Sequence, residues 1–233
     1  MNTERYNRQI MLPEIGEEGQ RKLSQAKVLV VGVGGIGSPA SIYLTGAGVG
    51  TIGLVDNDKV DKTNLQRQIL YNETEVGKSK ALCAQKHLQQ LNSEITIHAY
   101  DCRLTPENAE EIISQYDIVI DGCDNFATRF LLNDTCIKLG KIYIYGAILA
   151  FDGQVSVFNY PGSHTNYRTL HPNEKELLAM PLPPKGVMGV TPCMVGCTEA
   201  TEAIKLIVGF GEPLVDKMWT FDLRTMQTYI ISL

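Results

Sequence analysis

The sequence lacks any apolar run that approaches the roughly 18–20 residues needed to cross a bilayer. Its first residues, Met1 to Arg5, also lack the basic start and the apolar core of a signal peptide. Basic residues are outnumbered, with 21 Lys and Arg against 26 Asp and Glu, which gives a net charge of −5. A broad basic face for nucleic acid is therefore not expected. We expect a cytoplasmic protein with no membrane and no nucleic-acid partner.

Cysteine is scattered through the chain, which argues against the dense disulfide framework of small secreted proteins. We expect reduced thiols with mostly structural roles. The six cysteines are Cys83, Cys102, Cys123, Cys136, Cys193 and Cys197.

Buried-strand runs alternate with segments of helical spacing along the chain. Strands are predicted at 27–31, 51–56, 95–100, 116–121 and 141–148, followed by 154–159, 217–222 and 226–231. Helices are predicted from the turn after residue 31 to about 46, and at 76–92, 106–115, 125–139 and 193–208. Strands that alternate with helices indicate a parallel sheet covered on both faces. The prediction is a Rossmann-like α/β fold with a mostly parallel central sheet, helices on both faces and a C-terminal antiparallel extension.

A single domain over residues 1–233 is predicted, because 233 residues with 44% apolar side chains suffice for one large core. Its parts are an N-terminal arm at 1–25, a nucleotide-binding core at 26–148 and a C-terminal helix and strands at 187–233. Residues 160–186 contain five prolines and little periodicity, so we predict an exposed, mobile crossover loop there.

Glycines follow the first strand directly and lead into a helix, at Gly32, Gly34, Gly35 and Gly37. Glycines with this spacing allow a tight turn and let the backbone approach a phosphate at the helix N-terminus. Asp56 ends the second strand, where a carboxylate usually holds ribose hydroxyls. The pattern predicts a nucleotide site, and taken alone it favours NAD.

The residues after the second strand point to ATP instead. A triphosphate needs several cations, whereas hydride transfer needs few, so Arg67 and Lys80 favour a triphosphate. Lys80 is expected one turn into the following helix, and both cations would otherwise be ordinary surface charge. The polar residues of this stretch are Asp58, Thr63, Asn64, Gln66, Arg67 and Lys80.

Asp124 and Asn125 come just after another strand, at the same predicted edge of the sheet. A carboxylate at this edge could hold Mg²⁺ against phosphate oxygens. Asp121 is a competing candidate for the metal. Asp124 could equally cap the helix predicted to start at Asn125, or do both.

These residues together resemble the ThiF/MoeB/HesA family, which is related to the ubiquitin-activating enzymes. The resemblance covers nearly the whole chain in order, and the block Asn64-Leu65-Gln66-Arg67-Gln68 together with Arg8 is far more specific than the glycine loop. The matching stretches are 5–9, 19–20, 32–39, 47–50, 56–58, 64–68, 76–80, 124–126, 146–147, 153–154 and 202–205.

The resemblance implies an adenylyltransferase that activates the C-terminal Gly-Gly carboxylate of a small ubiquitin-like sulfur-carrier protein with ATP, releasing pyrophosphate. Gly35 then lies in the nucleotide loop and Asp56 holds the ribose. The implied phosphate ligands are Asn64, Arg67 and Lys80.

Two further roles follow from the resemblance. Asp124 corresponds to the residue that binds Mg²⁺ and is essential to adenylation. Arg8 looks like the arginine that reaches the phosphates from the partner subunit, so a homodimer is implied. Arg8, Arg67, Lys80 and Asp124 are therefore the expected catalytic residues.

The sequence departs from the family where many relatives bind zinc. The segment that holds a cysteine pair in those relatives reads Asn166-Tyr167-Arg168-Thr169 here, and no second pair follows. We therefore expect no zinc site. The cysteine that links some relatives to their carrier is also missing from residues 182–185.

Cys193 and Cys197 lie four residues apart in a predicted helix. The plainer interpretation is tight helix packing. Cys193, expected at the helix start, is a weak candidate for sulfur chemistry, because a helix N-terminus favours the thiolate.

Two other functions stay open. An NAD(P)-dependent oxidoreductase would fit the glycine loop and Asp56, but it would leave Arg67, Lys80 and Asp124 unexplained. A carrier-binding module with reduced catalysis would fit the missing zinc ligands. Within adenylation, thiamine or molybdopterin biosynthesis is the expected pathway, with thiamine favoured by analogy alone.

Overall fold

An eight-stranded mixed sheet forms the centre of the protein, in the order β3-β2-β1-β4-β5-β6-β7-β8. The computed structural model describes residues 3–181 and 186–233. The strands are β1 Lys27–Val31, β2 Thr51–Val55, β3 Thr96–Tyr100, β4 Ile118–Asp121, β5 Ile142–Leu149, β6 Asp152–Phe158, β7 Lys217–Asp222 and β8 Gln227–Ser232. The first five strands run parallel, and β6, β7 and β8 join antiparallel. The predicted mostly parallel sheet with a C-terminal antiparallel extension is confirmed.

Helices cover the sheet on both faces, as predicted. One core lies between the sheet and α3, α4 and α9, and a second lies beneath α5, α6 and α7. None of the described helices is long and apolar enough to cross a membrane. The helices are α1 Thr3–Ile10, α2 Gly16–Gln25, α3 Gly37–Ala47, α4 Lys80–Leu91, α5 Ala109–Ser114, α6 Phe126–Leu139, α7 Tyr167–Leu170, α8 Glu174–Ala179 and α9 Val190–Val208.

Three predicted helix starts were wrong, and the helix predicted at 106–115 begins at Ala109. The helix predicted at 76–92 begins at Lys80, because Gly77 adopts a left-handed φ of 86° and Ser79 caps α4 through the backbone N–H of Leu82. Residues 73–75 form a separate short 3-10 turn. The helix predicted from 193 begins at Val190, so Cys193 is its fourth residue rather than its start.

The predicted crossover loop contains two short helices, α7 and α8. The prediction that the loop is exposed is wrong at Tyr167. This residue is fully buried and packs edge-on against Phe130 at a ring separation of 5.0 Å. Residues 182–185, which belong to the same predicted loop, lie outside the described residues.

Candidate nucleotide site

The glycines of the loop between β1 and α3 differ in whether close packing requires them. Gly32 has a φ of 86°, and a Cβ there would lie 2.5 Å from the carbonyl oxygen of Gly122. A Cβ on Gly37 would lie 1.9 Å from the carbonyl oxygen of Gly32. These two glycines are therefore required by the close packing of the loop itself. A Cβ on Gly34 would meet only the Gln68 side chain, with its closest atom, Nε2, at 3.4 Å.

The segment after β2 folds back against this loop. Tyr71 donates a hydrogen bond from its hydroxyl to the carbonyl oxygen of Val33, at 2.7 Å. Gln68 lies beside Gly34, and the Cδ of Arg67 would be 3.6 Å from a Cβ on Gly35. Arg67, Gln68 and Tyr71 thus line the glycine loop. Arg67, predicted as a phosphate ligand, is placed at the loop.

Asp56 follows β2 directly and is tied to the loop. Its carboxylate accepts a hydrogen bond from the backbone N–H of Val33 and one from that of Asp58, both at 2.8 Å. Burial raises the pKa of the Asp56 carboxyl, whereas the hydrogen bond from Asp58 and the positive charge of Lys80 lower it. Each carboxylate oxygen retains acceptor capacity, which a ribose hydroxyl could use.

Lys80 is the first residue of α4, and the prediction that it lies one turn into the helix was wrong. Its side chain is buried, and its Nζ forms an ion pair with Asp58 at 3.0 Å. Asp58 is mostly exposed, with 64% of its side chain accessible. Because the Asp58 side of this ion pair is exposed, an anionic ligand could approach the Lys80 ammonium from that side.

Asp61 organises the remaining polar residues of the stretch. Its carboxylate accepts hydrogen bonds from the backbone N–H and the hydroxyl of Thr63, at 2.8 and 2.6 Å. Asn64 returns a hydrogen bond by accepting from the backbone N–H of Asp61. The exposed Gln66 lies next, and its backbone oxygen would be 2.4 Å from a Cβ on Gly189, just before α9. The sequence did not indicate that α9 reaches this turn.

The loop that carries Asp124 is fixed from beneath by a buried ion pair. Arg129 Nε donates to Asp121 Oδ2 at 3.1 Å, and Arg129 Nη2 donates to the carbonyl oxygen of Cys123 at 2.8 Å. Asp121, the competing candidate for the metal, is fully buried and forms this ion pair instead. Asn125 caps α6 by accepting from the backbone N–H of Thr128, so Asp124 is not the cap. Asp124 is left exposed at the sheet edge.

Arg8 lies away from the glycine loop of its own chain. The neighbouring Gln9 donates a hydrogen bond to the carbonyl oxygen of Ala47, at the C-terminal end of α3. The loop precedes the other end of α3, which is about 16 Å away for an 11-residue helix. The structure therefore brings together the predicted residues of the sheet edge and separates Arg8 from them.

The segment 166–169, where the sequence departs from the zinc-binding relatives, is held by polar contacts. Asn166 caps α7 by accepting from the backbone N–H groups of Arg168 and Thr169. Arg168 forms a two-pronged hydrogen bond to Asp134, at 2.7 and 2.6 Å. Polar contacts thus hold the segment where relatives place a cysteine pair. Within residues 3–181 and 186–233, no three metal-ligating side chains group together.

Cys193 and Cys197 face each other on α9, with their sulfur atoms 3.9 Å apart. Burial raises the pKa of the Cys197 thiol to about 12, and the neighbouring Cys193 adds to this shift. All six cysteines are free thiols.

A mostly parallel sheet, a glycine loop between β1 and α3 and a carboxylate after β2 are the features of a Rossmann-like nucleotide-binding fold. Residues 6–233 match the ThiF family, and the chain belongs to it.

The named relatives are adenylyltransferases. A sulfur carrier protein adenylyltransferase of Thermus thermophilus is 48% identical over 94% of this chain and 83% of its own length. A probable molybdopterin-synthase adenylyltransferase of Porphyra purpurea is 49% identical over 90% of this chain. A probable adenylyltransferase/sulfurtransferase MoeZ of Mycobacterium tuberculosis is 43% identical over 98%. The chain spans only 55% and 59% of these last two proteins.

A solved structure of Escherichia coli MccB with AMPCPP and MccA has the same fold. Its TM-score is 0.85 at 26% identity, and the alignment covers 99% of this chain and 72% of that one.

Proposed function

We propose that this protein adenylates the C-terminal Gly-Gly carboxylate of a small ubiquitin-like sulfur-carrier protein with ATP and releases pyrophosphate. The observation that carries the proposal is the buried Lys80 side chain, which lies with Arg67 and Asp56 around a glycine loop whose Gly34 is not required by packing. The sulfur-carrier adenylyltransferase named among the relatives supports the choice of substrate.

In this reaction a carboxylate oxygen of the carrier bonds to the α-phosphorus of ATP. The bond from that phosphorus to the oxygen shared with the β-phosphate breaks, and pyrophosphate leaves. The carboxylate is already ionised at neutral pH, so no general base is needed. The protein aligns the reactants and offsets the negative charge, with Asp56 on the ribose and Asn64, Arg67 and Lys80 on the phosphates.

Asp124 holds Mg²⁺ in this proposal. The exposed carboxylate lies at the sheet edge on a loop fixed by Arg129, and carboxylate oxygens are preferred Mg²⁺ ligands. When bound, the ion neutralises charge on the phosphate oxygens. Zinc has no part in the proposal, because Asn166 and Thr169 stand where relatives carry cysteines.

A homodimer completes the site in this proposal. Arg8 lies near the C-terminal end of α3, away from the glycine loop of its own chain. The arginine that contacts the phosphates is therefore Arg8 of the partner subunit. The protein acts in the cytoplasm, in thiamine or molybdopterin biosynthesis.

Pyrophosphate release tests the proposed function. The protein is mixed with ATP, Mg²⁺ and candidate carriers ending in Gly-Gly, and released pyrophosphate is measured. Release that requires a carrier is expected, and Asp124→Ala should abolish it. Asp222→Ala, which removes a carboxylate paired with Arg224 at the end of β7, is the matched control and should be active.

Binding measurements separate the two other functions. Calorimetric binding of NADH in preference to ATP would replace adenylation by an oxidoreductase activity. ATP and carrier binding without any pyrophosphate release would indicate a catalytically reduced module.

A further inference from the structure

Close packing does not exclude a side chain at position 34. A Cβ added there would meet only the Gln68 side chain, at an ordinary contact distance of 3.4 Å, and the backbone φ is not left-handed. Glycine at this position is therefore not needed for packing or conformation in the protein alone. The second glycine of such a loop lets a phosphate approach the backbone. A ligand phosphate over Gly34 would explain why no side chain occupies the space.

Gln68 forms the wall of that space. The residue is 4% exposed, and its Oε1 is buried without a hydrogen-bond partner among the described residues. Leaving a buried polar atom unpaired costs stability. A phosphate oxygen accepts hydrogen bonds, so the amide N–H is the group that can bind it, and Nε2 is the Gln68 atom closest to Gly34.

We propose that Gln68 is a nucleotide-binding residue whose carboxamide donates a hydrogen bond to a phosphate oxygen of ATP seated over Gly34. The inference rests on the proposed function and adds a residue to the phosphate ligands expected from the family resemblance. Gln68 supplies a neutral donor beside Arg67. Its position does not depend on the ligand, because Tyr71 fixes the same segment to the carbonyl of Val33.

Gln68→Met tests the proposal, since methionine has a similar length and no hydrogen-bonding amide. Without ATP, the variant should unfold at the same temperature as the wild type or higher, because it removes an unpaired buried oxygen. The dissociation constant for ATP-Mg²⁺, measured by calorimetry, should rise about tenfold, as expected for losing one hydrogen bond to a charged group.

Gln85→Met is the matched control. Gln85 Nε2 donates to the carbonyl oxygen of Ile97 at 2.7 Å, away from the glycine loop. This variant should lose thermal stability and bind ATP as the wild type does. The two glutamine variants thus have opposite expected profiles.

Unchanged ATP affinity in Gln68→Met, with normal binding by the wild type, would overturn the Gln68 proposal and leave the proposed function intact. A fall in affinity accompanied by a loss of stability as large as that of Gln85→Met would also overturn it, because that pattern indicates a structural role. A wild-type protein that does not bind ATP would refute the proposed function together with this inference.

Discussion

Packing within the protein requires glycine at position 37 but not at position 34. A Cβ on Gly37 collides with the backbone of Gly32, whereas a Cβ on Gly34 meets only the Gln68 side chain, at van der Waals distance. Gly34→Ala should therefore fold normally and bind ATP at least about tenfold more weakly, by filling space meant for a phosphate. Gly37→Ala should fold poorly or not at all.

Thermal unfolding with and without ATP-Mg²⁺ separates these two effects. Gly34→Ala should keep the unfolding temperature of the ligand-free protein and lose the upward shift that ATP causes. An alanine at 34 that leaves the ATP-induced shift unchanged would show that the space is not used by the nucleotide.

Glu199 is a fully buried carboxyl on α9. Neither of its oxygens has a hydrogen-bond partner in the described ranges, and its Oε1 lies 2.4 Å from where a Cβ on Gly146 would be. Burial raises the pKa of Glu199 well above 4.5, and the charge of Asp121 raises it further, while Arg129 lowers it. The folded protein therefore holds this group in its neutral form over a wider pH range than the unfolded chain does.

This shift makes stability fall as pH rises. Above pH 4.5 the unfolded chain loses the Glu199 proton while the folded protein keeps it, so about 1.4 kcal/mol of stability is lost per pH unit until the pKa of the folded protein is reached. Glu199→Gln removes this dependence and should be more stable than the wild type at pH 8 and similar near pH 4. Denaturant unfolding across pH 4–8 measures the difference.

Glu202→Gln, on the same helix, is the control for Glu199→Gln. Glu202 accepts a hydrogen bond from the backbone N–H of Leu214 and pairs with Lys205, so its replacement should cost stability. Equal slopes of stability against pH in Glu199→Gln and the wild type would contradict the account of Glu199.

The short helix α7 is held by side-chain contacts rather than by its own length. Asn166 caps it, whereas Asn173 at the start of α8 makes no such hydrogen bond. Asn166→Ala should destabilise the protein by about 1 kcal/mol and speed proteolysis within 160–181, because a lost cap frees the helix end. Asn173→Ala should change neither, and limited proteolysis with denaturant unfolding compares the pair. Equal behaviour of the two variants would refute the role of the cap.

The strength of the local sequence pattern explains which elements could be predicted from the sequence. Residues 28–31 are a continuous apolar run, and β1 spans Lys27–Val31. The spacing of apolar residues from 76 mimicked a helix, but Gly77 in a left-handed conformation delays α4 to Lys80. The helix α7 escaped prediction, because four capped residues produce no periodicity.

The site was predictable where a residue follows a strand directly. Asp56 follows β2, and the edge to which parallel strands point is known from the sequence. The contact between Gln66 and Gly189 and the unpaired amide of Gln68 depend on how distant segments pack, which sequence spacing does not encode. Gln68 lay within the specific block, yet only its burial distinguishes it from its neighbours.

Arg8 lies far from the glycine loop of its own chain, so we predict that each active site is shared between two subunits. Arg8→Ala and Asp124→Ala should each be inactive alone. A mixture refolded or co-expressed together should regain about a quarter of wild-type activity, because half of the dimers are mixed and each holds one intact site. No recovery, despite mixed dimers shown by native mass spectrometry, would place Arg8 in the site of its own chain.

Carrier-dependent exchange of labelled pyrophosphate into ATP tests the central claim most directly. Exchange reports reversible formation of the acyl-adenylate without any downstream sulfur donor. With Mg²⁺ and a matching carrier, we expect exchange that disappears when the carrier lacks its last glycine or when Asp124 is replaced by alanine. Exchange that proceeds equally without a carrier, or none with any Gly-Gly carrier despite tight ATP binding, would contradict carrier adenylation.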